Sequence, residues 1–207
     1  MMRPLVETVA EVCAVAREIG ASGSDVLLGQ KATERTVKSL SGDGSLESYR
    51  VIHFATHGLL AVEAESAGGP AEPALVLTPP ARASREDDGL LTAGEIAGLR
   101  LNADWVILSA CNTAAGDRSN VDALSGLARA FFYAGTRALL VSHWAVDSDA
   151  TVRLITRTFE AQKSNPLVGR AGALRQAMRD MIGTGNDPAA HPAFWAPFVV
   201  VGEGAGA

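Results

Sequence analysis

The chain has 207 residues, of which 47% are hydrophobic and 20% charged, a composition typical of a globular domain and unlike that of disordered proteins. Its net charge of −5 and the lack of a long basic run argue against binding to nucleic acid or to an anionic membrane surface. No apolar run reaches the ~18 residues of a membrane span, and we see no secretion signal at the N-terminus, so we expect a cytoplasmic protein.

A helix is the first predicted element. Apolar residues recur at helical spacing from Leu5 to Ile19, and Gly20 supplies the stop. Cys13 lies on this apolar stripe, so we interpret it as a small side chain of the core. The other cysteine is Cys111, and two cysteines of this kind do not make a disulfide framework. Both thiols are therefore expected to be free.

The next elements are short. A strand is predicted over residues 25–29, followed by a helix that Thr33 caps. The glycine-rich turn over 41–45 lacks the Walker pattern of a phosphate loop. An apolar run over residues 50–58 predicts a strand that ends on His57.

Strands and helices alternate in the rest of the chain. A strand over 74–78 lies between a surface loop over 61–73 and a second polar loop, and Thr92 and Glu95 form the capping box of a short helix. A second apolar stretch, over residues 104–113, predicts a strand that ends on Cys111, and a polar loop begins at Asn112. The remaining predicted elements are a helix ending at Gly135, a strand over 137–143, a helix to Gln162, a last helix with Pro166 in its first turn and a strand over 198–201. This alternation predicts an α/β three-layer sandwich.

His57 and Cys111 are the candidate reactive residues, because each ends an apolar run of the kind that forms a central parallel strand. Parallel strands place their carboxyl ends on one edge of the sheet, where ligand sites collect. A thiol facing an imidazole is the arrangement of a cysteine nucleophile and its base. Gly58 would let a backbone N–H approach a substrate, as an oxyanion hole requires. The alternative for each residue is a structural role.

The other histidines are interpreted as structural. His53 precedes His57 by four residues within the same strand and is expected to be buried and hydrogen-bonded. His143 ends its own strand and could reach the same edge, but a structural role is favoured, and His191 is interpreted as a loop residue. The histidines and cysteines lack zinc-ligand spacing, so we expect no metal and no other cofactor.

Residues 51–58 and 108–113 resemble the two signature blocks of the CHAT domain, a family of caspase-like cysteine peptidases related to separase and gingipains. The resemblance implies a caspase-like α/β/α sandwich with a mostly parallel sheet, in a single domain over residues 1–203 with a disordered tail over 204–207. It extends in the family's order through residues 88–96, 126–131, 141–147 and 195–202.

The resemblance also implies a function and its residues. His57 and Cys111 match the catalytic dyad, and Gly58 matches the oxyanion-hole residue. In several relatives an acidic residue binds the basic side chain before the scissile bond; Asp147 is the first candidate for this role and Asp149 the second. Asp147 could instead cap the following helix.

The implied activity is that of a bacterial-type cysteine endopeptidase that cleaves a protein or peptide substrate after a basic residue, under control of a regulatory partner protein. One alternative is a catalytically inactive interaction or signalling domain with the same fold. Another is a nucleotide-binding α/β protein, although the phosphate loop is missing.

One departure from the family pattern concerns the sheet. An apolar strand usually precedes the first helix and lies between the Val26 strand and the His57 strand. This sequence begins directly at the helix, so we expect either a truncated start or a gap that closes in another way. An unfilled slot would leave backbone donors and acceptors unpaired.

Overall fold

Four apolar strands form the central sheet of the computed structural model, which describes residues 7–66, 68–84, 86–109, 121–144, 147–185 and 187–205. The sheet has the order β1-β5-β6-β7, in which β1, β5 and β6 are parallel and β7 is antiparallel to β6. All residues of β5 and β6 are buried, as expected of strands covered on both faces. The strands are β1 (Val51–Phe54), β5 (Trp105–Leu108), β6 (Ala138–Ser142) and β7 (Phe198–Gly202).

A smaller antiparallel sheet follows β1 in the chain. Its strands are β2 (Gly58–Leu59), β3 (Ala74–Val76) and β4 (Leu90–Thr92), in the order β2-β3-β4. Only three residues separate the end of β1 from the start of β2. The chain therefore passes from the central sheet into the small sheet at His57.

The helices pack on both faces of the central sheet. They are α1 (Glu7–Glu18), α2 (Glu34–Gly42), α3 (Ala61–Ser66), α4 (Ala93–Ala97), α5 (Val121–Ala134), α6 (Ser148–Ser164), α7 (Gly169–Ile182) and α8 (Pro192–Trp195). Within the described residues, no helix has both the length and the hydrophobicity needed to cross a bilayer.

Two apolar cores result from this packing. Alternate residues of β5 point to opposite faces: Val106 and Leu108 enter one core with Phe131 of α5, whereas Ile107 enters the other with Leu154 of α6. Helices α2, α4 and α5 contribute to the first core, and α1, α6 and α7 to the second. The predicted three-layer sandwich with a mostly parallel sheet is confirmed.

Local capping signals predicted two helix starts correctly. The Thr33 side chain accepts a hydrogen bond from Thr36 N at the start of α2, and Thr92 and Glu95 form the capping box of α4. In contrast, the loop predicted over 61–73 contains α3, and β4 was not predicted. Short elements of this kind carry little periodicity of their own.

The strand predicted over residues 25–29 is wrong. This stretch instead contains two single 3₁₀ turns, Gly23–Asp25 and Gly29–Lys31. Ser22 forms a capping box with the side chain of Asp25, which satisfies backbone groups locally. A strand needs a neighbouring strand to pair its backbone, and this stretch has none among the described strands.

β1 lies at an edge of the central sheet. It pairs with β5 and with no other strand of the described residues. All of its residues are only half-buried, unlike those of β5. The open edge is on the side where the family resemblance places an additional strand.

The buried face of α1 differs from the predicted apolar stripe. Val9 and Ile19 are 45% and 37% exposed, whereas Glu11 and Val15 are buried. Cys13 is a free thiol that is only partly buried, so its assignment to the core interior is wrong. The helix is turned so that a carboxylate faces inward, and this orientation is stable only if the carboxylate has a partner.

Gly135 ends α5 in a conformation that other residues avoid. Its φ is 108°, and a Cβ at this position would lie 2.2 Å from the carbonyl oxygen of Leu101. We expect Gly135→Ala to lower the free energy of unfolding by about 3 kcal/mol, because a positive φ and a backbone clash add together. Urea denaturation followed by circular dichroism measures the change.

Gly20→Ala is the matched control. Gly20 also ends a helix with a positive φ, 73°, but nothing lies within 4 Å of an added Cβ. This variant should lose only about 1 kcal/mol, the cost of the conformation itself. Equal losses for the two variants would show that the predicted clash at Gly135 does not occur.

Candidate active site

The carboxyl ends of the three parallel strands lie in register at one edge of the central sheet. Phe54 pairs with Leu108, which pairs with Val141. His57 lies three residues beyond Phe54, and Cys111 lies three residues beyond Leu108. Two neighbouring strands therefore lead toward the two predicted catalytic residues from the same edge. Cys111 itself lies outside the described residues, so its meeting with His57 stays a prediction.

The small sheet holds the backbone at His57. The carbonyl of His57 accepts a hydrogen bond from Val76 N at 2.8 Å, and the hydroxyl of Thr56 donates to the carbonyl of Val76. These two bonds tie consecutive residues to one residue of β3. No sequence motif indicates this contact, because a loop and a short helix separate β3 from His57.

Gly58 has the geometry of an available backbone donor. It lies opposite Leu75 in the β2–β3 pair, and the bond from Val76 N to His57 O makes His57–Val76 the neighbouring hydrogen-bonded pair. In an antiparallel ladder, hydrogen-bonded and non-hydrogen-bonded pairs alternate. The N–H of Gly58 therefore points away from β3, toward the side of β2 where the described strands provide no neighbour.

The side chain of His53 is buried and hydrogen-bonded, as predicted, although the residue as a whole is half-buried. Its Nε2 lies 2.5 Å from Ser109 Oγ and 3.0 Å from Glu11 Oε1. Sequence reasoning missed both partners. Glu11 falls beside the apolar stripe of α1, and Ser109 is a small polar residue at the end of β5, so neither position has a motif of its own.

Asp147 caps α6. Its Oδ1 accepts a hydrogen bond from Ala150 N at 2.9 Å, and its carbonyl accepts from the hydroxyl of Thr151 at 2.7 Å. The capping role weighed for this residue is therefore present. Asp147 is exposed, and four residues separate it from the end of β6, so binding of a basic substrate side chain by its carboxylate stays a prediction.

Asp149 is also exposed, in the first turn of α6. Its charge acts on Arg153 of the same helix: the pKa of Arg153 is raised, chiefly by its hydrogen bond to Asp187 and in smaller part by the charge of Asp149. Asp149 thus has a cation nearby on its own helix, and its binding of a basic substrate side chain stays a prediction.

The remaining histidines lie on the surface. His143 is exposed, and its backbone N–H donates to the carbonyl of Pro197 at 2.9 Å. His191 precedes α8, where its Nδ1 accepts a hydrogen bond from Ala193 N at 3.2 Å. The interpretation of His191 as a loop residue is confirmed, and it also caps the helix.

Comparison with known proteins identifies the family. A model described as "CHAT domain" matches residues 1–203. Tetratricopeptide repeat protein 28 of Mus musculus is 29% identical over 205 residues, and its Homo sapiens counterpart is 28% identical. Each alignment covers 87% of this chain but 8% of the relative, so the chain spans a small part of these proteins. Because the family model covers nearly the whole sequence, the chain belongs to the CHAT domain family.

The cap at Asp147 predicts how two substitutions differ in stability. Asp147→Ala removes the acceptor for Ala150 N and should lower the free energy of unfolding by about 1 kcal/mol. Asp147→Asn keeps an acceptor oxygen and should cost no more than a few tenths of a kcal/mol. Thermal and urea unfolding of the two variants measure the difference. An alanine variant as stable as the asparagine variant would contradict the capping role.

Proposed function

We propose that this CHAT domain is a cysteine endopeptidase in which Cys111 is the nucleophile and His57 is its base. The observation that carries the proposal is the register of β1 and β5. Phe54 pairs with Leu108, and His57 and Cys111 each follow their paired residue by three positions, beyond the same end of the sheet. Membership of a family of caspase-like proteins supports the same assignment. The orientation of Gly58 N–H supports an oxyanion site next to them.

The proposed reaction follows from these roles. His57 takes the proton from the Cys111 thiol, and the thiolate attacks the carbonyl carbon of the scissile peptide bond. The N–H of Gly58 stabilises the negative oxygen of the tetrahedral intermediate. The C–N bond then breaks, and the leaving amine receives the proton from the His57 imidazolium. Water, deprotonated by His57, hydrolyses the thioester and regenerates the thiol.

A basic residue before the scissile bond is the proposed specificity. Asp147 precedes α6, at the chain segment that follows the third parallel strand, and its carboxylate is exposed. The cap uses Oδ1, so the second carboxylate oxygen can accept hydrogen bonds from an arginine or lysine side chain. Capping and substrate binding are therefore compatible in one residue.

Regulation by another module is part of the proposal. The relatives are named for tetratricopeptide repeats, and the aligned region is a small part of each. Repeats of this kind stack into extended concave surfaces that bind other proteins. We propose that such a surface, in the same chain or in a partner protein, controls access of substrate to this domain.

A catalytically inactive interaction domain is the second candidate. It is favoured by the relatives, which are named for tetratricopeptide repeats, modules that bind other proteins. In this alternative the fold is retained while Cys111 and His57 no longer act as a pair, so the reactivity of the thiol separates the two functions.

Alkylation of Cys111 tests the dyad without a substrate. Cys13→Ser leaves Cys111 as the single thiol, and its rate of reaction with iodoacetamide at pH 7 reports the thiolate fraction. A thiol of ordinary pKa is only a few per cent ionised at that pH, so loss of an activating imidazole in His57→Ala should slow alkylation by about tenfold or more.

His143→Ala is the control for that measurement, since His143 is exposed at the end of the next strand. It should react at the parent rate. Equal rates for the parent and His57→Ala would favour the inactive interaction domain. A slow rate in His143→Ala would show that His57 had been wrongly assigned as the base.

A peptide-library profile tests specificity. We expect cleavage after arginine or lysine, and no cleavage by Cys111→Ala. Asp147→Asn keeps the cap but removes the charge, so its kcat/KM for these peptides should fall by about 10- to 100-fold. Asp149→Asn is the matched control and should change little. A preference for apolar residues, or equal losses in both variants, would contradict the assignment of Asp147.

A further inference from the structure

Three buried polar side chains beneath the strand ends have no part in the proposed chemistry. Glu11 is 2% exposed, Ser109 is 6% exposed, and the side chain of His53 is 8% exposed. They come from α1, from the residue after β5 and from β1. Burial of polar groups costs free energy unless they are paired. We therefore ask which contacts pair these three side chains and what those contacts position.

A single atom links the three elements. His53 Nε2 hydrogen-bonds Ser109 Oγ at 2.5 Å and lies 3.0 Å from Glu11 Oε1. The Glu11 contact has ion-pair distance without the alignment of a hydrogen bond, and the buried His53 Nδ1 has no hydrogen-bond partner among the described residues. In a hydrolytic Ser-His-acid triad the acid holds Nδ1 while the serine faces Nε2. Here both partners share Nε2, so this cluster is not a second catalytic triad.

Ser109 is attached to β1 twice. Its backbone N–H donates to the carbonyl of Phe54 at 3.1 Å, and its hydroxyl bonds the side chain of His53, the residue before Phe54. A backbone bond alone fixes position along the strand, and the side-chain bond adds a fixed direction across it. Ser109 lies two residues before Cys111, at the point where the chain leaves the sheet.

We propose that His53 is a positioning residue, which, supported by Glu11, holds Ser109 so that the chain leaves β5 in the direction that brings Cys111 to His57. The inference rests on the proposed dyad. Because β1 carries both His53 and the start of the segment to His57, one strand fixes both halves of that dyad. Reacting groups lose much of their effectiveness when misplaced by about 1 Å, so a fixed exit direction at Ser109 has a direct effect on the thiol–imidazole contact.

Alkylation of Cys111 in the Cys13→Ser background measures this positioning in the folded protein. Ser109→Ala and His53→Leu should each slow the reaction by about tenfold, as misplacement of the thiol from His57 predicts. The double variant should be no slower than either single variant, because both remove the same bond. His53→Gln places an amide nitrogen near the position of Nε2 and should recover most of the rate. In peptide cleavage, kcat should fall while KM stays unchanged.

Thr158→Val controls for the loss of a buried hydroxyl. Thr158 is 1% exposed and donates to the carbonyl of Leu154 at 2.7 Å within α6, away from the strand ends. This variant should lose stability in urea but keep the parent alkylation rate. If Ser109→Ala behaves in the same way, its role is structural and the inference is overturned. If His53→Leu does not fold, Ser109→Ala and His53→Gln decide the question.

His57→Ala separates failure of this inference from failure of the proposed dyad. A slow rate in His57→Ala together with a parent rate in Ser109→Ala would overturn the positioning role and leave the dyad intact. A parent rate in His57→Ala would overturn both. Slow rates in His57→Ala, Ser109→Ala and His53→Leu, with recovery in His53→Gln, are the expected result.

Discussion

The parallel register of β1 and β5 is the constraint on which the candidate site depends. A shift by one residue would exchange the two faces of a strand, and the two cores are too different to allow it. Trp105 of β5 packs against Phe159 with ring centroids 6.1 Å apart and lies 5.9 Å from the guanidinium of Arg170, whereas the next residue, Val106, lies in the opposite core. Packing therefore fixes the register, and the register sets where the segments to His57 and Cys111 begin.

Polar contacts hold β5 at both of its ends. At the starting end, Asp104 forms two 2.8 Å hydrogen bonds with Arg50, which precedes β1, and contacts Arg137, which precedes β6. These partly exposed ion pairs add little free energy each, but they connect the starts of all three parallel strands. At the other end, Ser109 is bound to β1. The central strand is thus held in position along its whole length by bonds from its neighbours.

The parts of the fold that could be predicted from the sequence are those with local causes. Thr33 and Thr92 each accept an N–H group in the first turn of their own helices. The strand before His57 follows from an apolar run, although β1 ends at Phe54, three residues earlier than predicted. The errors concern long-range partners. The strand predicted over 25–29 needed a neighbour that the described residues do not supply, and the burial of Glu11 depends on His53, which is 42 residues away in the chain. Periodicity places a residue on a face but does not identify what that face meets.

The candidate site lies at a junction between two sheets, and charged side chains of α2 hold the smaller sheet in place. Glu34 of α2 is 1% exposed and accepts the N–H groups of Asp88 and Gly89 at 2.9 Å each, just before β4. Lys38 bridges Glu34 and Glu95. Burial by itself would raise the pKa of Glu95, but the bonds from Lys38 and the backbone N–H of Thr92 hold that pKa below its usual value.

These contacts fix β4 to α2. β4 pairs with β3, and β3 in turn hydrogen-bonds the backbone at His57. The segment to Cys111 leaves the central sheet, whereas Gly58 belongs to the small sheet. In the proposed mechanism, the distance between the thiol and the Gly58 N–H therefore depends on how the two sheets are joined at His57.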